Sequence, residues 1–309
     1  MGKLVEGVWR DDAYEYDEGG GFVRDTSRFR GWVTADGGSG FPAVAGRYRL
    51  YVSLACPWAH RTLIFRKLKG LEEAIPVTVV EPLMLEHGWE FSARYPEPLY
   101  GLDFLWQLYV RANPEASGRV TVPVLWDTEE ETIVSNESSE IIRMLNSAFE
   151  GLAGPGEDYY PEPLRAEIDE VNERVYETVN NGVYRAGFAS TQEAYDDAVA
   201  ALFASLDWLE GRLEGRQTLI GDQVTEADWR LFTTLVRFDA VYHGHFKCNV
   251  RRLSDYPRLT AYCRRLADTP GIRETIDLDY TKTHYYGSHR DLNPRGIVPR
   301  GPAQTFLDG

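Results

Sequence analysis

The chain has 309 residues, enough for one large domain or two ordinary ones with a real core, and its 43% apolar and 13% aromatic content is that of a globular protein. A net charge of −15 argues against nucleic acid and anionic membrane surfaces as partners, and no run approaches the ~20 apolar residues of a membrane span. Three cysteines, Cys56, Cys248 and Cys263, cannot build a disulfide framework, and the N-terminus has no signal-like apolar core, so the cytoplasm is the expected compartment.

Residues 1–46 are rich in Gly, Asp and aromatics and read as an irregular arm with no role that the residues themselves assign. "RYRLYVSLA" reads as a strand, and Pro57 opens a helix where its missing N–H costs least. Leu63, Ile64, Leu68 and Leu71 give that helix an apolar face, with Arg61, Arg66, Lys67 and Lys69 as its polar remainder. "IPVTVVEP" is a second, β-branched strand. Residues 82–118 read as an irregular, aromatic-rich insertion over the site. "VTVPVLWD" and "ETIVSNESSEIIRML" then read as strand, turn, strand and helix. A Gly/Pro-containing linker at 149–163 leads to helices, among them one with Val199, Leu202, Phe203, Leu206, Leu209 and Leu213 at helical spacing. Thr225 followed by Asp228 is a variant capping box. Several Pro and Gly breakers predict a non-helical tail at 285–309. The organisation is thus an α/β domain over 47–150 and an all-α domain over 160–284.

Cys56 sits where strand gives way to helix. There it faces unpaired N–H groups and the positive end of the helix dipole, so the thiolate is favoured and its pKa should fall below ~8.5. His60 and Arg61, one turn on, would add to this. The alternative is a buried, inert thiol, the expected state of Cys248 and Cys263. A disulfide-cycling enzyme needs a second cysteine three residues on, and Ala59 stands there. Any mixed disulfide on Cys56 must be resolved by a thiol from solution, which points to a small-molecule thiol as co-substrate.

If the Val122–Pro123 bond is cis, the backbone before it is exposed to pair with a peptide-like ligand. Glu137 and Ser138 lie at a helix start and suit an amine and a carboxylate, respectively; plain N-capping by Ser135 or Asn136 is the alternative. His243, His245 and Cys248 do not form a common zinc pattern, so no metal is expected. No P-loop or dinucleotide-binding glycine fingerprint occurs.

The segments "SLACPWAHRTLIFRKLKGLE", "HGWEF", "VTVPVLWD", "TIVSNESSEIIRM", "NNGVYRAGFA", "TEADWRLFTTLVRFDAVYHGHFKCN" and "HYYGSHRDLNPRGIVPRGP" resemble the glutathionyl-hydroquinone reductases, the Xi class of glutathione transferases. The likeness runs from about Trp9 to Pro302. It implies a thioredoxin-like domain, an all-helical transferase domain, and a homodimer. It also implies glutathione as co-substrate in reducing a glutathionyl-hydroquinone to hydroquinone and glutathione disulfide. Cys56 matches the family nucleophile. Trp89, the segment Arg119, Val120, Thr121 and Val122, and Glu137 with Ser138 match positions that hold glutathione. Tyr184 matches a proton donor or acceptor, and Tyr242 and Tyr285 match tyrosines that help lower the thiol pKa; ordinary packing is the other reading of all three. Tyr285 and Tyr286 are adjacent, so that assignment is open by one. A general thiol transferase or dehydroascorbate reductase using the same cysteine, and a non-catalytic binding protein on this fold, are the competing functions. Neither the hydroquinone nor the choice between glutathione and a thiol such as γ-glutamylcysteine is written in the sequence.

Overall fold

The computed structural model describes residues 2–11, 17–153, 156–302 and 307. Residues 1 and 12–16 of the expected arm, 154–155 of the expected linker, and 303–306, 308 and 309 of the expected tail lie outside the described residues. The chain divides into two compact units, Met1–Ala13 with Asp25–Glu157 and Tyr14–Arg24 with Asp158–Gly309.

The first unit opens with an antiparallel pair, β1 (Lys3–Val5) and β2 (Val8–Arg10), and a short parallel pair, β3 (Val33–Thr34) and β4 (Phe41–Pro42). A βαβ unit follows, made of β5 (Tyr48–Val52), α1 (Pro57–Leu68) and β6 (Val77–Val79). β5 and β6 are parallel, with Leu50 opposite Val77, and parallel neighbours need a crossover such as this helix. Next come β7 (Met84–Leu85), β8 (Gly88–Trp89), α2 (Leu105–Ala112) and β9 (Gly118–Arg119), the last paired with β1. The antiparallel strands β10 (Val124–Asp127) and β11 (Thr132–Ser135) complete a sheet of order β11-β10-β5-β6. α3 (Ser138–Ser147) packs beside α1, and one turn, α4 (Glu150–Ala153), ends the unit. A parallel βαβ unit continued by a β-hairpin and a helix is the thioredoxin-like arrangement. Its central strands β5 and β10 are almost wholly buried, and Asp127 on β10 is matched by the Arg47 guanidinium at 2.6 Å.

Three expectations need correction here. The stretch 82–118 is not irregular: Leu105, Leu108 and Tyr109 make a buried face at helical spacing, and α2 forms on it. Nor is the arm wholly irregular. Besides β1–β4, residues 29–31 run along β11, where the Gly31 N–H donates to the Val134 carbonyl (2.7 Å) and the Asn136 N–H to the Phe29 carbonyl (3.2 Å). Arg61 on α1 and Lys69 just past its end, read as part of a polar remainder, are both buried; the Lys69 ammonium reaches the Glu157 carbonyl at 3.1 Å.

The second unit is helical: α5 (Arg165–Val175), a π-helical turn at Tyr176–Asn180, α6 (Gly182–Gly187), α7 (Gln192–Arg212), α8 (Glu226–Leu235), a second π-helical turn at Phe238–Tyr242, α9 (Pro257–Ala267) and α10 (Leu278–Ser288). Thr191 caps α7 by accepting from the Ala194 N–H, and the helix buries Val199, Leu202, Phe203, Leu206 and Leu209 on one side. α8 begins at the Thr225–Asp228 capping box. The tail predicted over 285–309 is helical in its first four residues. Asp277 caps α10 from the Tyr280 N–H, and the proline breakers come only after its end. Among the described residues no helix is long and apolar enough to cross a membrane.

Candidate active site

Cys56 is the N-cap of α1, in extended backbone geometry, with Pro57 at the first helical position. The Ala59 N–H is aimed at the Cys56 sulfur from 3.5 Å, so a helix-terminal donor faces the atom on which thiolate charge would lie. Sγ lies 3.4 Å from the carbonyl oxygen of Val122, to which the thiol donates. The Val122–Pro123 bond is cis. Cys56 is part-exposed, whereas Cys248 and Cys263 are fully buried and burial pushes both thiols up. The one accessible thiol among the described residues is therefore the one at the helix start.

α3 begins beside this pair of segments. Its cap is Glu137, not Ser135 or Asn136: Glu137 Oε1 accepts from the Ser139 N–H (3.0 Å) and hydroxyl (2.8 Å), and Oε2 accepts from the Ser27 hydroxyl (3.0 Å). Burial pushes the Glu137 carboxyl up. The Ser139 N–H and hydroxyl, the Ser27 hydroxyl and the charge of Arg61 outweigh it and hold the group below its ordinary range. Arg61 lies over the Trp58 ring at 4.4 Å and donates to the Ser138 hydroxyl at 3.3 Å. This brings a cation and a hydroxyl to the start of α3, next to an ionised carboxylate. Such a group offers complementary charge to a ligand carrying both an ammonium and a carboxylate.

The other predicted residues of this unit fall into different surroundings. Trp89 is buried in β8. Val120 and Val122 are buried, and Thr121 is engaged by the Tyr109 hydroxyl, which accepts from its N–H (3.2 Å) and donates to its carbonyl (2.8 Å). Arg119 and Thr121 line a cleft of about 270 Å³ together with Ser27, Phe29, Tyr109 and Asn136, and Cys56 is not part of its wall.

In the helical unit the three predicted tyrosines converge. The Tyr184 and Tyr285 hydroxyls lie 2.5 Å apart, and those of Tyr242 and Tyr285 3.2 Å apart. Tyr184 is delivered by α6 directly after the first π-helical turn, Tyr242 ends the second, and Tyr285 sits on α10. Gly187 is required behind Tyr184, since a Cβ there would lie 2.3 Å from the Phe246 ring, which packs on both Tyr184 and Tyr285. Burial, together with the neighbouring Tyr184 and Tyr242, raises Tyr285 well above its ordinary value, so it is a neutral hydroxyl donor at neutral pH. Tyr286 points elsewhere, to the Ala240 carbonyl and the His245 ring.

His245 Nε2 pairs with His289 Nδ1 at 3.1 Å; burial lowers both, His245 to about 4, so the pair is neutral. Among the described residues no group of three or more His, Cys, Asp or Glu side chains is placed to hold a metal ion. The sequence reading missed Ser27, which lies in a polar run of the arm where no periodicity marks it.

The family model described as "Glutathione S-transferase, N-terminal domain" matches residues 55–148, and that described as "Glutathione S-transferase, C-terminal domain" matches residues 192–265. The glutathionyl-hydroquinone reductase PcpF of Sphingobium chlorophenolicum is 56% identical over 310 residues, spanning 99% of this chain and 98% of its own. The glutathione-bound structure of YqjG, a glutathione transferase homolog from Escherichia coli K-12, superposes with a TM-score of 0.92 at 53% identity, covering 99% of this chain and 97% of that one. The Xi-class transferase of Natrialba magadii gives a TM-score of 0.93 at 50% identity, covering 99% and 94%.

Proposed function

This chain belongs to the glutathionyl-hydroquinone reductases, the Xi class of the glutathione transferases, and we infer that it removes glutathione from glutathionyl-hydroquinones through a mixed disulfide on Cys56. The observation that carries the reading is a part-exposed thiol at the start of α1 with the Ala59 N–H on its sulfur and alanine where a resolving cysteine would stand. A monothiol in that position forms a mixed disulfide and then waits for a second thiol.

The ring carbon bearing sulfur must be protonated before it can leave, as in the keto tautomer of the hydroquinone. The Cys56 thiolate attacks the glutathione sulfur, the C–S bond breaks, and the ring takes the electron pair and becomes the hydroquinone. A second glutathione then reduces the Cys56–glutathione disulfide, releasing glutathione disulfide. Tyr184 gives a proton to the ring oxygen on which charge collects. Tyr242 and Tyr285 support negative charge as hydroxyl donors; Tyr285, held protonated, is suited to that task.

Glutathione itself is held by Trp89, by the segment Arg119, Val120, Thr121 and Val122, and by Glu137 and Ser138. The ionised Glu137 suits its ammonium, and Ser138 with Arg61 suits its γ-glutamyl carboxylate. No metal takes part in this scheme. A homodimer and cytoplasmic residence belong to the same family reading.

The direct test is to incubate the protein with a glutathionyl-hydroquinone and glutathione. Hydroquinone and glutathione disulfide should appear in equal amounts. No hydroquinone release, with mixed disulfides or dehydroascorbate still reduced, would favour the general thiol-transferase reading, which uses the same cysteine. Inactivity on every such substrate would favour a non-catalytic binding protein.

A further inference from the structure

We propose that Arg24 is a positioning residue for the proton transfer assigned to Tyr184, its guanidinium held on the face of the phenol ring so that the phenolate is favoured as the proton leaves. The proposal rests on the proton-donor role of Tyr184 given above.

Arg24 Cζ lies 4.7 Å from the centroid of the Tyr184 ring, and Nε donates to Asn181 Oδ1 at 2.9 Å. Asn181 is buried and starts α6; its carbonyl accepts the Tyr184 N–H at 3.0 Å. One residue thus fixes the backbone of the tyrosine and the cation on its ring. The arm around Arg24 is also fastened beyond the other end of α6, where α7 begins. The Gly20 carbonyl accepts from the Ser190 N–H and hydroxyl (both 3.0 Å), and the Gly19 carbonyl accepts from the Thr191 hydroxyl (2.8 Å). Phe22 packs on Phe188, whose ring in turn stacks on Tyr184.

A guanidinium over a neutral phenol gains a modest quadrupole attraction. Once the proton has gone, part of the negative charge is delocalised into the ring and the attraction becomes one between full charges. The cation therefore stabilises the product of proton donation more than its reactant. The oxygen end of the same tyrosine meets the Tyr285 hydroxyl at 2.5 Å, so the charge is received at both the ring face and the oxygen. If Arg24 were only an anchor for the arm, its removal would act without regard to the Tyr184 hydroxyl.

The experiment is a mutant cycle in the deglutathionylation assay, with Arg24→Met and Arg24→Lys made in the wild-type and Tyr184→Phe backgrounds. In the wild-type background Arg24→Met should lower kcat about tenfold with the KM for glutathione changed less than about twofold, and Arg24→Lys should restore most of the loss. In the Tyr184→Phe background Arg24→Met should cause no further loss. Should Arg24→Met fail to fold, Arg24→Gln, which keeps a donor for Asn181, takes its place. An equal loss in both backgrounds, or none in the wild type, overturns the role of Arg24. A Tyr184→Phe variant with wild-type kcat overturns the role of Tyr184 itself, and the proposal with it.

Discussion

Cys56→Ala should lose hydroquinone release by about 10³-fold or more in kcat, the order lost when a catalytic nucleophile is removed. The loss should be this complete because nothing nearby in the chain can stand in. Ala59 occupies the place of a second local thiol, and Cys248 and Cys263 are fully buried with thiols pushed up by burial. Cys56→Ser should be equally inactive, since a serine hydroxyl keeps the geometry but is a poor nucleophile toward thioether sulfur. Glutathione binding should survive in both variants, because Arg61 is bonded to Ser138, and Glu137 to Ser139 and Ser27, without the thiol. Steady-state rates of hydroquinone release and calorimetric glutathione titrations of each variant separate the two effects. A variant that lost binding along with turnover would mean that Cys56 organises the site rather than reacting in it.

The second large effect is on stability. Asp228→Ala should destabilise the helical unit by about 4 kcal/mol, from a lost cap of ~1 kcal/mol and buried donors left unpaired at about 1–3 kcal/mol each. Asp228 is fully buried and accepts from the Leu219 N–H (2.9 Å), the Thr225 N–H (2.7 Å), the Thr225 hydroxyl (3.0 Å) and the Tyr262 hydroxyl (2.9 Å). One carboxylate thereby joins the loop before α8, the start of α8 and a residue of α9. The loss is a large share of the ~5–15 kcal/mol by which folded domains are stable. Asp228→Asn retains one acceptor oxygen and should recover part of it. Urea unfolding followed by circular dichroism measures both variants; a midpoint unchanged in Asp228→Ala would show that water replaces the carboxylate without cost.

What the sequence disclosed depended on how each feature is encoded. The junction of β5 and α1 was legible because Pro57, the apolar spacing after it and the β-branched run before it all point to one arrangement. The Thr225–Asp228 cap was legible for the same reason, although the two further donors on Asp228 were not. The pairing of residues 29–31 with β11 runs through backbone groups, which leave no mark in side-chain alternation. α2 hid among aromatics that fit a helix face and an irregular segment equally well. Arg61 and Lys69 look like solvated charges in sequence, yet each buries its stem and finds an oxygen partner, Ser138 and Glu157 respectively. The tyrosines are the sharpest case. With 18 in the chain, only the family resemblance singled out Tyr184, Tyr242 and Tyr285, and the structure joins those three by their hydroxyls while turning Tyr286 away.

The Cys56–glutathione intermediate should accumulate in a single turnover. The protein is mixed with a stoichiometric amount of a glutathionyl-hydroquinone in the absence of free glutathione, quenched in acid, and analysed by chromatography and peptide mass mapping. One hydroquinone should be released per chain, with a matching glutathione adduct on the Cys56 peptide and none on those of Cys248 or Cys263. Hydroquinone release without an adduct on Cys56, or no release at all, would contradict it.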